Sequence, residues 1–171
     1  AHAMVTPAVH CPAVHVPSVQ LATAEELAPV IQHLSETTAP GFKAFVKGTL
    51  QRDGRLDLCK QGLGPEGLRS VLAPLSKGQS RVQHLLLGTN GLGDEGAAIL
   101  GDALGRGFQV HTLYLGCNLI GSEGVAALAG GIAQQRAVRA LGLERYPRGE
   151  PGLAALLEAL PQTSLRTLDL T

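Results

Sequence analysis

The chain is poor in aromatic residues, with two Tyr, three Phe and no Trp in 171 positions. A core must therefore be built from Leu, Val, Ile and Ala. It also has no net charge, with 14 basic and 14 acidic side chains. Lys and Arg are scattered, so the basic stripe that displaces counterions from nucleic acid is missing, and no nucleic-acid partner is expected. No apolar run approaches the ~18 residues of a membrane span, so no membrane association is expected. The start lacks the charged and apolar regions of a signal peptide. Ala1-His2-Ala3-Met4 reads instead as a vector scar before a native Met4, with a mature, cleaved chain as the alternative. The three cysteines, Cys11, Cys59 and Cys117, are odd in number and unrelated in spacing. They form no disulfide framework, and a reducing cytoplasm is the simplest setting.

What the chain does have is Leu and Gly at fixed intervals. Hydrophobic residues make up 44% and charged residues 16%, a globular balance. Leu56-Asp57-Leu58, Leu85-Leu86-Leu87, Leu113-Tyr114-Leu115, Leu141-Gly142-Leu143 and Leu168-Asp169-Leu170 are five L-x-L triplets, and their second Leu recurs after 29, 28, 28 and 27 positions. Three positions after that Leu stand Gln61, Asn90, Asn118 and Tyr146. Then come Leu63-Gly64-Pro65-Glu66-Gly67, Leu92-Gly93-Asp94-Glu95-Gly96 and Ile120-Gly121-Ser122-Glu123-Gly124, with a degenerate fourth copy from Arg148 to Gly152. Apolar residues at helical spacing follow each copy.

In each triplet the two leucines point to one side of an extended strand and the middle residue to the other. The Asn suits a tight turn, where its side chain satisfies backbone groups. Gly93 and Gly121 permit turn conformations that a side chain opposes. Asp94 and Ser122 are expected to N-cap the helices that follow, and Gly96 and Gly124 to let a helix lie close to its neighbour. One such unit cannot bury its own apolar face, whereas stacked units share a core. Helices are wider than strands, so the stack should curve with parallel strands on its concave face and helices on its convex face. Leu85–Ala97 and Leu113–Val125 resemble the ribonuclease-inhibitor-type leucine-rich repeats. The resemblance covers residues 55–171 and implies an α/β solenoid of about four repeats plus a final strand.

Residues 1–22 read as an extended segment and 23–54 as an N-terminal cap. Thr23-x-x-Glu26 is a capping box ahead of Leu27, Val30, Ile31 and Leu34, with Pro29 expected to kink the helix or shift its start. Phe42–Leu50 reads as one extended run, which Arg52-Asp53-Gly54 turns into the first repeat strand as a β-hairpin. Lys43 and Lys47 would discourage edge pairing. At the other end the fifth triplet has no helix after it. Either the solenoid is longer, or Leu165–Leu170 pairs with a second copy to give a homodimer.

Alternation puts Asp57, His84, Leu86, Thr112, Tyr114 and Glu144 on the concave face as protein-binding candidates, with Tyr114 the one aromatic anchor in the row. The alternative is a plain surface, because Gly88, Gly116, Gly142 and Ala140 share that face. Arg145, Tyr146 and Arg148 interrupt the fourth repeat as a binding protrusion or a drifting loop. His10, Cys11 and His15 could offer ligands to a metal or, through Cys11-Pro12, to haem, but no second ligand pair follows. The alternating Val9, Val14, Val16 and Val19 make an extended packing segment the better reading, and no cofactor is expected. Gly91-Leu92-Gly93-Asp94-Glu95-Gly96 matches a phosphate-loop pattern by accident, since its acidic pair would repel phosphate. His33, His84 and His111 have no partners for a hydrolytic triad. These features together favour a non-catalytic scaffold that binds a protein partner. Ran GTPase activators share the repeat type, which makes GTPase activation the first alternative, and metal or haem binding the second.

Overall fold

The computed structural model describes residues 20–36, 41–77, 81–146 and 151–171. Seven short strands form one sheet in sequence order. They are β1 (Lys43–Ala44), β2 (Thr49–Leu50), β3 (Arg55–Asp57), β4 (His84–Leu86), β5 (Thr112–Tyr114), β6 (Ala140–Gly142) and β7 (Thr167–Asp169). The first three pair antiparallel and the rest parallel. Helix α1 (Ala24–Glu36) precedes the sheet, and α2 (Gly64–Leu75), α3 (Gly93–Gly105), α4 (Ser122–Gln134) and α5 (Pro151–Ala159) each link two parallel strands. Consecutive helices pack on one another.

The L-x-L period builds the core. Leu56, Leu85, Leu113, Leu141 and Leu168 stand in register across five strands. The first four of these are buried, together with Leu58, Leu87, Leu115 and Leu143. Leu100, Leu104, Leu128 and Ile132 meet them from the helices in the same cluster. Each fully buried Leu stabilises the stack by about 1.5–3 kcal/mol. Regular strand stops after three residues, but the ladder continues. The N–H groups of Lys60, Thr89, Cys117 and Arg145 donate to Gly88, Gly116, Glu144 and Thr171 carbonyls at 2.9–3.1 Å. All four residues have left-handed φ, between 56° and 65°. Each unit therefore leaves its strand through one repeated left-handed residue that no glycine signals.

The turn asparagines reach further than their own turn. Asn118 Oδ1 accepts the N–H groups of Asn90 and Leu92 in the preceding unit at 2.8 and 3.4 Å. Its Nδ2 donates to Leu87 and Leu115 carbonyls at 2.9 and 2.8 Å. Asn90 repeats the pattern on Gln61, Leu63, Leu58 and Leu87. These are the two buried polar residues among those described, and both are fully bonded, as burial demands.

Asp94 and Ser122 do not cap their own helices. Leu92 and Gly121 occupy the N-cap positions, without a side-chain cap bond. The Asp94 carboxylate is drawn instead to the N-terminus of the next helix, accepting Gly121 and Gly124 N–H at 2.6 and 3.1 Å. Gly124 lies against Asp94, as a close approach requires, whereas a Cβ on Gly96 would meet Leu92 of its own unit. The tightest helix contact is elsewhere. A Cβ on Gly131 would strike the Gly101 carbonyl and lie 2.7 Å from Gly101 Cα.

At the N-terminal end the capping box forms: Thr23 N–H donates to Glu26 at 2.9 Å, and Glu26 N–H to the Thr23 hydroxyl at 3.2 Å. The helix runs through Pro29 and its start does not shift. Phe42–Leu50 is not one strand. It folds on itself as the β1–β2 hairpin, closed by Phe45 N–H donating to Gly48 carbonyl at 3.0 Å. Gly48 has φ of +86° and packs its α-carbon against Asp57 and Leu58, leaving no room for a side chain. The Asp53-Gly54 turn then joins β2 to β3 as expected. Lys43 lies on the edge strand, while Lys47 pairs with Glu26 at 3.4 Å and ties the hairpin to α1.

Candidate functional site

The sheet face opposite the helices carries the middle residues of the triplets. In register they are Asp57, Leu86, Tyr114, Gly142 and Asp169, above a second row of Arg55, His84, Thr112, Ala140 and Thr167. Asp57, His84, Leu86, Thr112, Tyr114 and Glu144 are all half-buried there. His84 Nδ1 and the Thr112 hydroxyl bond at 2.9 Å, linking β4 to β5.

Tyr114 sits at the centre, and the glycines that made this face look plain are what holds it. A Cβ on Gly88 would stand 2.5 Å from one ring edge, one on Gly142 would stand 3.0 Å from the other, and one on Gly116 would stand 2.8 Å from the hydroxyl. The ring therefore lies in a trough left by three absent side chains. Its hydroxyl donates to Glu144 Oε2 at 2.7 Å. That bond, helped by burial, pushes the Tyr114 pKa up to about 12, because ionising the phenol would place two anions in contact. Nearby, burial pushes the Cys59 thiol up to about 11, and the Asp57 carboxylate adds to it. Cys59 thus holds its proton more tightly than a free thiol.

Arg145 is exposed, but Tyr146 belongs to no protrusion. It is 6% exposed and part of the core, its hydroxyl 3.4 Å from that of Ser122. A large ring has taken the buried place of the turn Asn. Arg148, His10, Cys11 and His15 lie outside the described residues. Among those described, no three His, Cys, Asp or Glu side chains gather to hold a metal ion, and no helix is long and apolar enough to cross a membrane.

A concavity, which the sequence did not suggest, lies between α1 and the β1–β2 hairpin. It has a volume of about 430 Å³ and is lined by Pro29, His33, Lys43 and Phe45 among others. His33 and Phe45 rings meet at 5.4 Å, and Lys43 Nζ is 5.8 Å from the Phe45 centroid. Burial and the Lys43 charge lower the His33 pKa. Phe42 and Val46 are exposed beside it.

No family model and no curated protein matches the chain. Among solved structures it is similar to leiomodin-1 actin-binding site 2, with a TM-score of 0.64 and 17% identity over 86% of this chain and 78% of that one. The likeness is one of fold.

Proposed function

We propose that the chain is a non-catalytic scaffold, a leucine-rich-repeat solenoid of ribonuclease-inhibitor type that presents its sheet face to a protein partner. The observation that carries this reading is the fixed Tyr114 ring on its glycine trough. Aromatic anchors held in one geometry before binding lose little entropy on association and concentrate affinity. The strand, turn and helix recur every 27–29 residues, which supports the solenoid, and wider helices opposite narrow strands would make this face concave. The solved structure it resembles is described as an actin-binding site, which is compatible with a protein-binding role. The cytoplasm is the proposed location.

Affinity capture from the source cell tests the proposal. The bait would be the wild-type chain, Leu86→Asp on the sheet face, and Ala126→Asp on the exposed side of α4, each checked for folding by circular dichroism. A partner retained by Ala126→Asp and lost by Leu86→Asp is expected. Identical captures with all three baits would overturn the assignment of the binding face.

A further inference from the structure

The Tyr114 row has a charge pattern that specifies a ligand. We propose that it binds a basic segment in polyproline-II conformation, with cationic side chains at every third position. The proposal rests on the sheet face being the binding surface, and adds the chemistry of what binds there.

The ring edges and hydroxyl of Tyr114 fill the trough, so the ring presents its outer face to solvent. A carboxylate, Glu144, is fixed beside it through the 2.7 Å bond to Oε2. An aromatic face next to a carboxylate suits a guanidinium, which stacks on the one and pairs with the other. Asp57 and Asp169 stand in the same row on β3 and β7, each two strands from Tyr114. Each uses one oxygen locally, Asp57 on Cys59 N–H and Asp169 on Thr171. Arg55, Lys60, Arg139, Arg145 and Arg166 are cations in or close to these strands. Among the described residues no ion pair joins them, or any other cation, to Asp57, Glu144 or Asp169. Among the described residues, these three carboxylates thus lie on one face without an ion-pair partner.

Their spacing selects the conformation of the ligand. Strands lie about 4.8 Å apart, so each outer carboxylate is about 10 Å from the Tyr114 position along the row. A polyproline-II chain rises about 3.1 Å per residue with three residues per turn, so side chains at every third position face the same way about 9.3 Å apart. A β-strand would turn alternate members of that series away from the sheet, because its side chains repeat every second residue. An Arg over Tyr114 and Glu144 would leave Lys residues three positions either side to reach Asp57 and Asp169.

The probe is a fluorescent heptapeptide with Lys, Arg and Lys at its first, fourth and seventh positions and Pro between. The control has the same composition with the three cations adjacent. Fluorescence anisotropy at fixed ionic strength should show the spaced peptide binding at least about tenfold more tightly. Tyr114→Leu should weaken it about three- to thirty-fold, the range a cation–π contact supplies. Glu144→Gln, which keeps an acceptor for the Tyr114 hydroxyl, should weaken it about two- to fivefold. Glu158→Gln, on the exposed side of α5, should leave it unchanged. No binding of the spaced peptide, equal binding of both peptides, or indifference to Tyr114→Leu would each overturn the proposal. If a captured partner still depends on Leu86 while the peptide fails, the ligand chemistry is wrong and the scaffold reading stands. If no captured partner depends on Leu86, the scaffold reading fails on its own test.

Discussion

Replacing Asn118 with Ala should be among the most damaging single changes in the chain. The side chain is 2% exposed and makes three short bonds to backbone, at 2.8, 2.9 and 2.8 Å, with two longer ones, from Leu92 N–H and to Gly116 carbonyl, both at 3.4 Å. Alanine leaves the Asn90 N–H and the Leu115 carbonyl without their partner in a dry interior, while the Leu87 carbonyl keeps its bond from Asn90 Nδ2. An abandoned buried polar group costs about 1–3 kcal/mol. Two such groups set a range of about 2–6 kcal/mol, and relaxation or an entering water favours the lower end, about 2–3 kcal/mol. Gln61 occupies the equivalent place in the first unit, but its side chain makes one local bond, to Cys59 carbonyl at 2.9 Å. Gln61→Ala should therefore cost no more than about 1 kcal/mol. Urea unfolding followed by circular dichroism, with midpoints compared at constant slope, measures both. A loss below about 1 kcal/mol for Asn118→Ala, or equal losses at the two sites, would refute the idea that the asparagines join the units.

Three further outcomes are expected. Asp94→Ala should lower stability by about 0.5–2 kcal/mol in the same unfolding assay, because it uncaps the following helix. Thermal melts should separate two adjacent glycines of α4. Gly130 faces open space, so Gly130→Ala should stabilise by about 0.5–1 kcal/mol, whereas Gly131→Ala, driven into Gly101, should destabilise by about 1–3 kcal/mol. In a Tyr146→Phe background, ultraviolet titration should place Tyr114 near 12 rather than its ordinary 10.0, with Glu144→Gln bringing it back down. The folded state holds this proton more tightly, so the stabilising contribution is whole below pH 10.0 and is lost as pH rises toward about 12. An unchanged midpoint in Glu144→Gln would contradict the Tyr114–Glu144 bond.

The parallel half of the sheet was legible because L-x-L reports a strand directly: the two leucines must share a face. The Asn turn was legible too, but not its reach, since the sequence spacing of Asn90 and Asn118 says nothing of which unit's backbone they bond. Asp94 was misassigned for the same reason. Next to a helix start it reads as a local cap, and only stacking brings the neighbouring helix N-terminus closer. Gly101 and Gly131 sit inside apolar helical runs, where a glycine gives no sign of what it approaches. The β1–β2 hairpin escaped notice because its strands are two residues long, too short for a period to show. At the candidate site, Tyr114 and Glu144 could be placed on the right face. Their bond, and the use of Gly88, Gly116 and Gly142 as a trough, depend on side-chain direction that alternation does not supply.

The polar joints between units are unequal, and this bears on how the chain comes apart. Between the second and third units Asn118 reaches back and Asp94 reaches forward. Between the first and second, Asn90 alone reaches across among the described residues, because Pro65 stands where Asp94 does. Between the third and fourth, Tyr146 and Ser122 take the places of Asn and Asp, and ring packing replaces the bonded amide. Cooperative opening units tend to part where buried side chains bond the neighbouring unit's backbone least. Native-state hydrogen exchange should therefore find β6, α5 and β7 opening together at lower free energy than β4, α3 and β5. The Tyr114–Glu144 bond spans that seam, so a ligand gripping both residues would slow the opening and make binding visible as protection in α5, a helix it never touches.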